Sequence, residues 1–366
     1  MPWNIPTPDE ISARLRARFD AGLKGVQARL WPNNVAVSAK AFGTGLAEVY
    51  DHQAWIKEQI FVRSCAEEVL EDHGADLGLP IRQAAAASGE VVATAAAALV
   101  VPAGSIVTRG DGRAYRVVTE AGVASAGPIA VQVVALEAGS AGVALPGVEM
   151  TFTIAGISDG EVGAAGLTGG ADKEGYDGYR ERLLFFKRYR PGHARPSDYV
   201  IWSSEVAGVS RVYVERRPYG PGTVRVYPLF DGIYANGIAP AGEIARVKSH
   251  LEIVGASGVA DIIVEAPEPE PIDITITGLS QNLIATRNTI LEEIGETFLR
   301  RGNVAGADAG HKAMPFLATA QTFSRSWIAQ AISNAAGEDR HVLASPTVDR
   351  TIPAGSIPVV GAFAAS

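Results

Sequence analysis

The sequence predicts a multidomain α+β protein with a helical N-terminal region, a small β domain, and two mixed α/β domains of split βαβ type. Helical spacing dominates the start of the chain, short β-branched runs broken by glycine and proline follow, and helical and strand patterns then alternate. With 366 residues, 47% of them hydrophobic, the chain can bury several cores of ordinary domain size. The four predicted parts cover residues 1–85, 89–156, 168–265 and 271–366.

Three helices are predicted in the N-terminal region. Thr7, Pro8 and Glu10 form a helix start, because threonine caps the first turn and glutamate can complete a capping box. Further helices are predicted from Ser38 to Gln59 and from Ala66 to Leu77. The expected buried side of the second helix consists of four apolar residues at helical spacing: Phe42, Leu46, Val49 and Ile56.

The β domain is predicted from Gly89 to Gly156. The pair Asp111-Gly112 between two alternating runs is a hairpin signal. The glycine-rich segment from Gly160 to Gly170 is expected to be a flexible connector. The apolar run from Ala95 to Gly104 is too short to cross a bilayer and is interpreted as a strand and a turn.

The central domain is predicted to begin with a helix from Asp172 to Tyr189 and a shorter helix at Ser197. Two strands then flank the turn Tyr219 to Gly222, and a helix from Gly242 to Ile253 precedes a third strand. One stripe of the first helix is expected to need a packing partner, and it comprises Tyr176, Tyr179, Leu183 and Phe186.

The C-terminal domain is predicted to follow a stiff, extended linker from Ala266 to Pro271. After a strand at 272–277, helices are expected from Ser280 to Arg301 and from Ala318 to Ala335, and a strand from His341 to Val348. These patterns predict a second small α/β unit.

Composition restricts the function classes. The net charge of −8 is spread along the chain, which disfavours general attraction to nucleic acid or membranes. A single cysteine, Cys65, cannot build an intrachain disulfide framework, in keeping with assembly in a reducing cytoplasm. The N-terminus lacks the pattern of a secretory signal, and no apolar run reaches membrane-spanning length.

Catalytic and cofactor motifs are weak. Residues 156–160 match G-x-S-x-G around Ser158, but the sequence that follows is too rich in glycine to begin the helix that a nucleophile elbow requires. The six histidines are scattered, and Gly306 to Lys312 has the wrong spacing for a phosphate-binding loop. We therefore expect no catalytic residue, no metal and no cofactor.

A basic and aromatic cluster is the one local concentration of charge. It contains Arg180, Arg182, Lys187, Arg188, Arg190 and Arg195, interleaved with tyrosine and phenylalanine. Three interpretations are open: a solvated helix face, a protein–protein interface, or a single-stranded nucleic-acid site. We favour partner binding over nucleic acid because the rest of the chain is acidic. The candidate subunit interface comprises Tyr179, Arg180, Leu183, Phe186, Lys187 and Arg188.

Several segments, in their order along the chain, resemble the J-like baseplate proteins of contractile-tailed phages. They are AEEVLEDHGADLGLPIRQAAAASGEV, LVVPAGSIVTRGDGRAYRV, VALEAGSAGVALPGV, the stretch from Thr168 to Glu265, and SPTVDRTIPAGSIPVVG. The resemblance covers most of the chain. It implies a structural component of the baseplate wedge, in a ring around the hub that rearranges to trigger sheath contraction.

The same resemblance implies the partners and the location. J-like proteins associate with a second copy and a smaller wedge protein, and they meet adjacent wedges, the hub and sheath components. The expected location is the virion tail baseplate, with assembly in the host cytoplasm. Two alternatives stay open: a wedge protein of a non-phage contractile injection system, and, from a different class, a serine hydrolase using Ser158.

Overall fold

The computed structural model of the chain describes residues 5–25, 27, 34–192, 194–255, 261–279 and 282–366. It is a mixed α and β structure that includes a small closed barrel. The chain divides into two compact units, one of Met1–Ile81 with Gly175–Phe185 and the other of Arg82–Glu174 with Phe186–Ser366.

The first unit is helical. Helix α1 starts after Thr7, whose side chain accepts from the Glu10 amide while the Glu10 carboxylate accepts from the Thr7 amide. The predicted capping box is therefore confirmed. The helices are α1 (Pro8–Gly22), α2 (Asn34–Gln59), α3 (Glu67–Asp76) and α4 (Tyr176–Arg188), of which α4 ends in the second unit.

Helix α2 packs on α1 through small residues. A Cβ at Gly43 would lie 2.1 Å from the Ser12 Oγ, so glycine permits the close approach of the two helices. The buried positions of α2 are Ala39, Gly43 and Ala47. The prediction that its large apolar residues form the buried side is wrong, because all four are exposed: Phe42, Leu46, Val49 and Ile56.

A second core of the first unit lies between α3 and α4. Tyr179 is fully buried and its hydroxyl donates to the Leu79 carbonyl oxygen at 2.7 Å. Gly74 of α3 leaves room for this ring, since a Cβ there would clash with the phenol. The cluster consists of Val62, Cys65, Leu70, Ile81, Tyr179 and Leu183. The stripe predicted on α4 thus finds its packing partner within the chain.

The second unit begins with a six-stranded closed barrel, ordered β1-β6-β4-β3-β7-β8, and a separate β2-β5 pair. The predicted Asp111-Gly112 hairpin is confirmed between β3 and β4, with Gly112 at a φ of 87°. The strands are β1 (Ser88–Ala95), β2 (Leu99–Val101), β3 (Ile106–Arg109), β4 (Ala114–Val117), β5 (Ala121–Val123), β6 (Gly127–Ala135), β7 (Glu149–Phe152) and β8 (Gly160–Val162).

The glycine-rich segment predicted as a connector belongs to the barrel. Strand β8 closes the barrel by pairing with β1 and β7. Leu167 is fully buried and exchanges backbone hydrogen bonds with Ala144, while Thr168 does so with Ser88. Glycines in this segment allow close backbone contact: a Cβ at Gly160 would lie 2.8 Å from the Val92 carbonyl oxygen. The β domain therefore extends past its predicted end at Gly156.

The central domain packs helices α5 (Pro196–Ser204) and α6 (Ala241–Val254) on a three-stranded sheet of order β11-β10-β9. Strands β9 (Arg211–Arg216) and β10 (Thr223–Leu229) form the predicted hairpin, and β11 (Asp261–Val264) lies parallel to β10. Since these parallel strands are direct neighbours, the unit lacks the intervening strand of a split βαβ arrangement.

The C-terminal domain is built on a sheet of order β15-β12-β17 and a pair β14-β16. The predicted linker from Ala266 to Pro271 is mostly strand, because β12 starts at Glu268 and pairs in parallel with β17. Strands β12 and β17 are thus direct neighbours, and this domain also lacks the intervening strand of a split βαβ arrangement. The elements are β12 (Glu268–Thr277), α7 (Ile284–Arg301), β13 (Ala305–Asp308), β14 (Gln321–Phe323), α8 (Arg325–Asn334), β15 (Val342–Ser345), β16 (Arg350–Ile352) and β17 (Ser356–Ala365).

Two predictions touch positions outside the described residues, the helix start at Ser280 and His193. Among the helices that the described ranges contain, none combines the length and apolar character needed to cross a membrane.

Candidate assembly surfaces

The candidate subunit interface on α4 separates into an inner and an outer half. Tyr179 and Leu183 are fully buried in the core of the first unit. The Arg180 guanidinium donates through Nη1 to the Val62 carbonyl oxygen and through Nη2 to the Cys65 carbonyl oxygen at 3.0 Å. These three residues contribute to packing within the first unit, and their assignment to a subunit interface stays a prediction.

The outer half of the candidate interface lies at the end of α4. Phe186 is half-buried, whereas Lys187 and Arg188 are exposed. The Arg188 guanidinium lies 5.9 Å from the centroid of the Tyr189 ring. Of the predicted interface, the exposed residues are therefore the two cations at the end of α4, Lys187 and Arg188.

These cations belong to a basic cleft of about 550 Å³ in the second unit. Its four cationic side chains, Lys187, Arg188, Arg190 and Arg195, are all exposed. The cleft is further lined by Tyr189, Pro196, Ser197, Ala313 and Met314. All four cations belong to the basic cluster that the sequence singled out. The wall from the C-terminal domain, Ala313 and Met314, had no signal in the sequence.

An apolar stripe runs along the exposed side of α2. Its members recur at alternating steps of four and three, with Gln53 occupying the fourth place, and at Phe42 the exposed fraction reaches 62%. This is the spacing of a heptad seam, in which one face of a helix packs against another helix. The apolar stripe comprises Phe42, Leu46, Val49 and Ile56 of α2 and, directly after the helix, Ile60.

Helix α3 carries the opposite charge. Its exposed side presents Glu67, Glu68, Glu71, Asp72 and Asp76, and the helix contains neither lysine nor arginine. Tyr176 donates to Glu71 Oε1 at 2.7 Å, and this hydrogen bond raises the pKa of the tyrosine, to which the charges of Glu67 and Glu68 add. We call this surface the acidic face of α3.

A buried polar junction connects the barrel to the central domain. Glu243 of α6 accepts from the Gly169 amide at 2.8 Å and from the Tyr234 hydroxyl at 3.0 Å, and it pairs with Arg246 at 2.7 Å. Burial, followed by the charge of Glu243 and its hydrogen bond, raises the pKa of Tyr234 well above its usual value. A Cβ on Gly169 would lie 2.9 Å from the Arg246 guanidinium.

Ser158 lies in an exposed turn between barrel strands. Its hydroxyl donates to the Asp159 carbonyl oxygen at 3.1 Å and accepts from the Thr94 amide at 3.2 Å. The next element is strand β8 and not a helix, so the nucleophile-elbow geometry is missing. Among the described residues, no histidine hydrogen bonds to Ser158 and no group of side chains could hold a metal ion.

Sequence reasoning missed the apolar stripe because helical periodicity does not say which face is buried. The signal was present in the small residues Ala39, Gly43 and Ala47, which recur every fourth position. Such a row permits close helix packing, whereas the bulky stripe beside it requires a wider separation. The glutamate at the junction carried no comparable signal, since Glu243 stands in an ordinary amphipathic helix.

Two family models match this chain. Residues 90–170 match the Baseplate J-like protein barrel domain, and residues 194–280 match the Baseplate J-like central domain. The first match coincides with the closed barrel and includes the segment after Gly156, and the second contains the three-stranded sheet of the central domain.

Full-length relatives agree with the domain matches. The chain is 27% identical to the baseplate protein gp47 of Escherichia phage Mu, over 84% of this chain and 88% of that protein. It is also 27% identical to the Mu-like prophage FluMu protein gp47 of Haemophilus influenzae, over 99% of both. A solved structure of an anti-feeding prophage baseplate aligns over 96% of this chain and 90% of that one, at 12% identity and a TM-score of 0.39.

The barrel and the central domain each match a J-like domain, and the similarity to the relatives runs through nearly the whole chain. The resemblance found in the sequence is confirmed: this chain matches the barrel and central domains of the J-like baseplate proteins and is similar to baseplate proteins of phage Mu and a Mu-like prophage.

Proposed function

We propose that this chain is a structural subunit of the baseplate wedge of a contractile phage tail, located in the virion. The names of its relatives support the baseplate. The observation that carries the wedge role is the apolar stripe of α2, which we assign to helix packing against neighbouring subunits.

The apolar stripe has the features of an unpartnered helix seam. Its members alternate in the a and d positions of a heptad, and they stay exposed although α2 already packs on α1 through the neighbouring row of small residues. Gln53 takes one of the a positions, where a polar residue can fix the register of a helical bundle. A contiguous apolar row of this kind on a folded unit marks a surface for another protein.

The energy available is sufficient for association. Each side chain of the stripe is about half-exposed, so burying the remainder contributes about 1 kcal/mol per residue. Burying five such residues at a contact between two helices gives a substantial favourable free energy. The opposing free-energy cost of association is incurred only once for the whole contact.

The wedge role includes the partners that the family resemblance implies. They are a second copy of the chain and a smaller wedge protein, with adjacent wedges, the hub and the sheath around them. We propose assembly in the host cytoplasm and a ring that rearranges on attachment to release sheath contraction. Several small domains in one chain suit such a change, since rigid domains can rotate while few contacts break.

We propose no enzymatic activity. The hydroxyl of Ser158 hydrogen bonds to backbone groups and has no side-chain base as a partner among the described residues, and the segment after it leads into a strand. A generic ester should therefore be hydrolysed no faster by this protein than by its Ser158→Ala variant.

The assembly test replaces Leu46 and Val49 together by aspartate. Because both side chains are already exposed, the isolated variant should keep its helical circular dichroism and its melting temperature within about 2 °C. In the complete tail system the variant should fail to enter baseplates, since two carboxylates would be buried in the helix seam.

The matched control is Val118→Asp with Leu136→Asp on the barrel. Those residues are 51% and 53% exposed, close to the 51% and 44% of Val49 and Leu46. The control should enter baseplates normally. Normal incorporation of the α2 variant would remove the apolar stripe from the wedge interface, and loss of incorporation in both would indicate general sensitivity to added charge.

A further inference from the structure

The basic cleft at the end of α4 is a fixed feature of the second unit. Tyr189 donates its hydroxyl to the Ala313 carbonyl oxygen at 2.5 Å, and its ring meets Phe316 edge-on at 5.5 Å. On the other side, the fully buried Asp198 accepts from the amides of Gly192 at 3.0 Å and Arg195 at 2.9 Å. The walls that carry the cations are thus held by hydrogen bonds and a ring contact.

Within the described residues, none of the four cleft cations forms an ion pair with a carboxylate. Other arginines of the second unit are paired: Arg211 with Asp231, and Arg216 with Asp308. Four like charges gathered around one concavity repel one another, and an anionic partner would relieve that repulsion.

We propose that the basic cleft binds the acidic face of α3 of a second copy of this chain. The proposal rests on the wedge role, because it supposes copies held in one particle, and it names two surfaces that meet. The partner is protein and not nucleic acid, since the chain as a whole carries a net charge of −8.

The acidic face matches the cleft in charge and spacing. Glu68, Asp72 and Asp76 follow one another every fourth residue, which places their carboxylates about 6 Å apart along the helix axis. Neither Glu68 nor Asp72 has a hydrogen-bonding or ionic partner in the described part of the chain. Guanidinium groups can bind such carboxylates through two parallel hydrogen bonds.

The contact has a consequence for symmetry. It joins two different surfaces, so each copy can offer its cleft to one neighbour and its α3 to another. Such head-to-tail contacts generate a ring when the rotation between copies closes. This contact between copies would therefore generate the ring that the wedge role requires.

The test uses charge reversal on both surfaces. The cleft variant is Lys187→Glu with Arg190→Glu, and the α3 variant is Glu68→Arg with Asp72→Arg. Two differently tagged copies are expressed with the other tail components, and recovery of the second tag with the first is measured. When both copies carry the same reversal, recovery should fall by about tenfold or more, because like charges then face each other.

A cleft-reversed copy mixed with an α3-reversed copy should regain most of the lost recovery, because the reversed surfaces are again complementary. The control Arg300→Glu with Arg340→Glu makes the same change of net charge at exposed sites elsewhere and should leave recovery unchanged. Unchanged recovery with the cleft variant, or absence of rescue, overturns the proposal.

Two readouts separate this inference from the wedge role. If the cleft variant enters baseplates with normal pairing of copies, the contact is wrong and the wedge role stands. If the wild-type chain is absent from baseplates, both are wrong. Fluorescence anisotropy with a labelled single-stranded oligonucleotide tests whether the cleft binds nucleic acid instead. If the wild type binds the oligonucleotide and the cleft variant does not, the cleft is a nucleic-acid site and the proposal is overturned.

Discussion

Arg180 and Lys187 stand two turns apart on the same helix, but their surroundings differ. Arg180 donates to two carbonyl oxygens, those of Val62 and Cys65, which belong to buried residues. Lys187 is exposed and forms no ion pair within the described residues. A basic residue on a helix can thus be a packing residue or a free surface charge, and the sequence does not distinguish the two.

This difference predicts opposite effects on stability. Arg180→Glu should lower the free energy of unfolding of the first unit by about 2–3 kcal/mol, because buried carbonyls lose a charged donor and face a carboxylate. Lys187→Glu should change it by less than about 0.5 kcal/mol. Urea unfolding followed by circular dichroism measures both. Equal stabilities would mean that the Arg180 hydrogen bonds contribute nothing in solution.

At the scale of elements, the turn between β9 and β10 is one that local sequence alone predicts. Gly220 and Gly222 were placed in a turn from residue type alone, and both have positive φ, 105° and 86°. Neither has a neighbour within 4 Å of an added Cβ, so backbone strain is the whole cost of substitution.

Gly222→Val should therefore destabilise the central domain by about 1–3 kcal/mol. The control is Gly110→Val, which also places valine in open space at an exposed turn but without a positive φ. Thermal unfolding of the two variants should differ, with the melting temperature lower for Gly222→Val. Matching melting temperatures would show that the turn relaxes to another conformation.

Local patterns predicted the elements better than their burial or pairing. Helices α3 and α6 begin and end within one residue of their predicted bounds, and α1 begins at its predicted cap, because caps and periodicity are local signals. Strand β8 and the start of β12 were missed, since glycine and proline favour loops unless a distant strand pairs with them. The buried face of α2 was predicted wrongly for the same reason, because its tertiary contact with α1 decides which face is buried.

At the scale of the whole molecule, the junction around Glu243 joins the barrel to the central domain, between which the sequence predicts a flexible connector. Gly169 at the end of the barrel, Tyr234 of the central domain and Arg246 of α6 all meet this one carboxylate. Such a junction could not be found from sequence, because its members are spread over more than seventy residues. It fixes the barrel to the central domain where a free connector was expected.

The junction should make stability sensitive to alkaline pH. The pKa of Tyr234 is raised by burial and by Glu243, so above pH ~10 the unfolded chain releases this proton before the folded one does. The unfolded state then binds fewer protons, and the free energy of unfolding falls as pH rises, by up to about 1.4 kcal/mol per pH unit for one group.

Urea unfolding between pH 9 and 11.5 measures this slope. Tyr234→Phe removes the titrating group and should make the slope shallower by up to that amount, although it costs stability at neutral pH through the lost hydrogen bond to Glu243. Tyr219→Phe, at a side chain that is 71% exposed, serves as the control and should leave the wild-type slope. An unchanged slope in the Tyr234 variant would mean that the junction opens before its tyrosine ionises, and the barrel and central domain would then separate without passing through a buried phenolate.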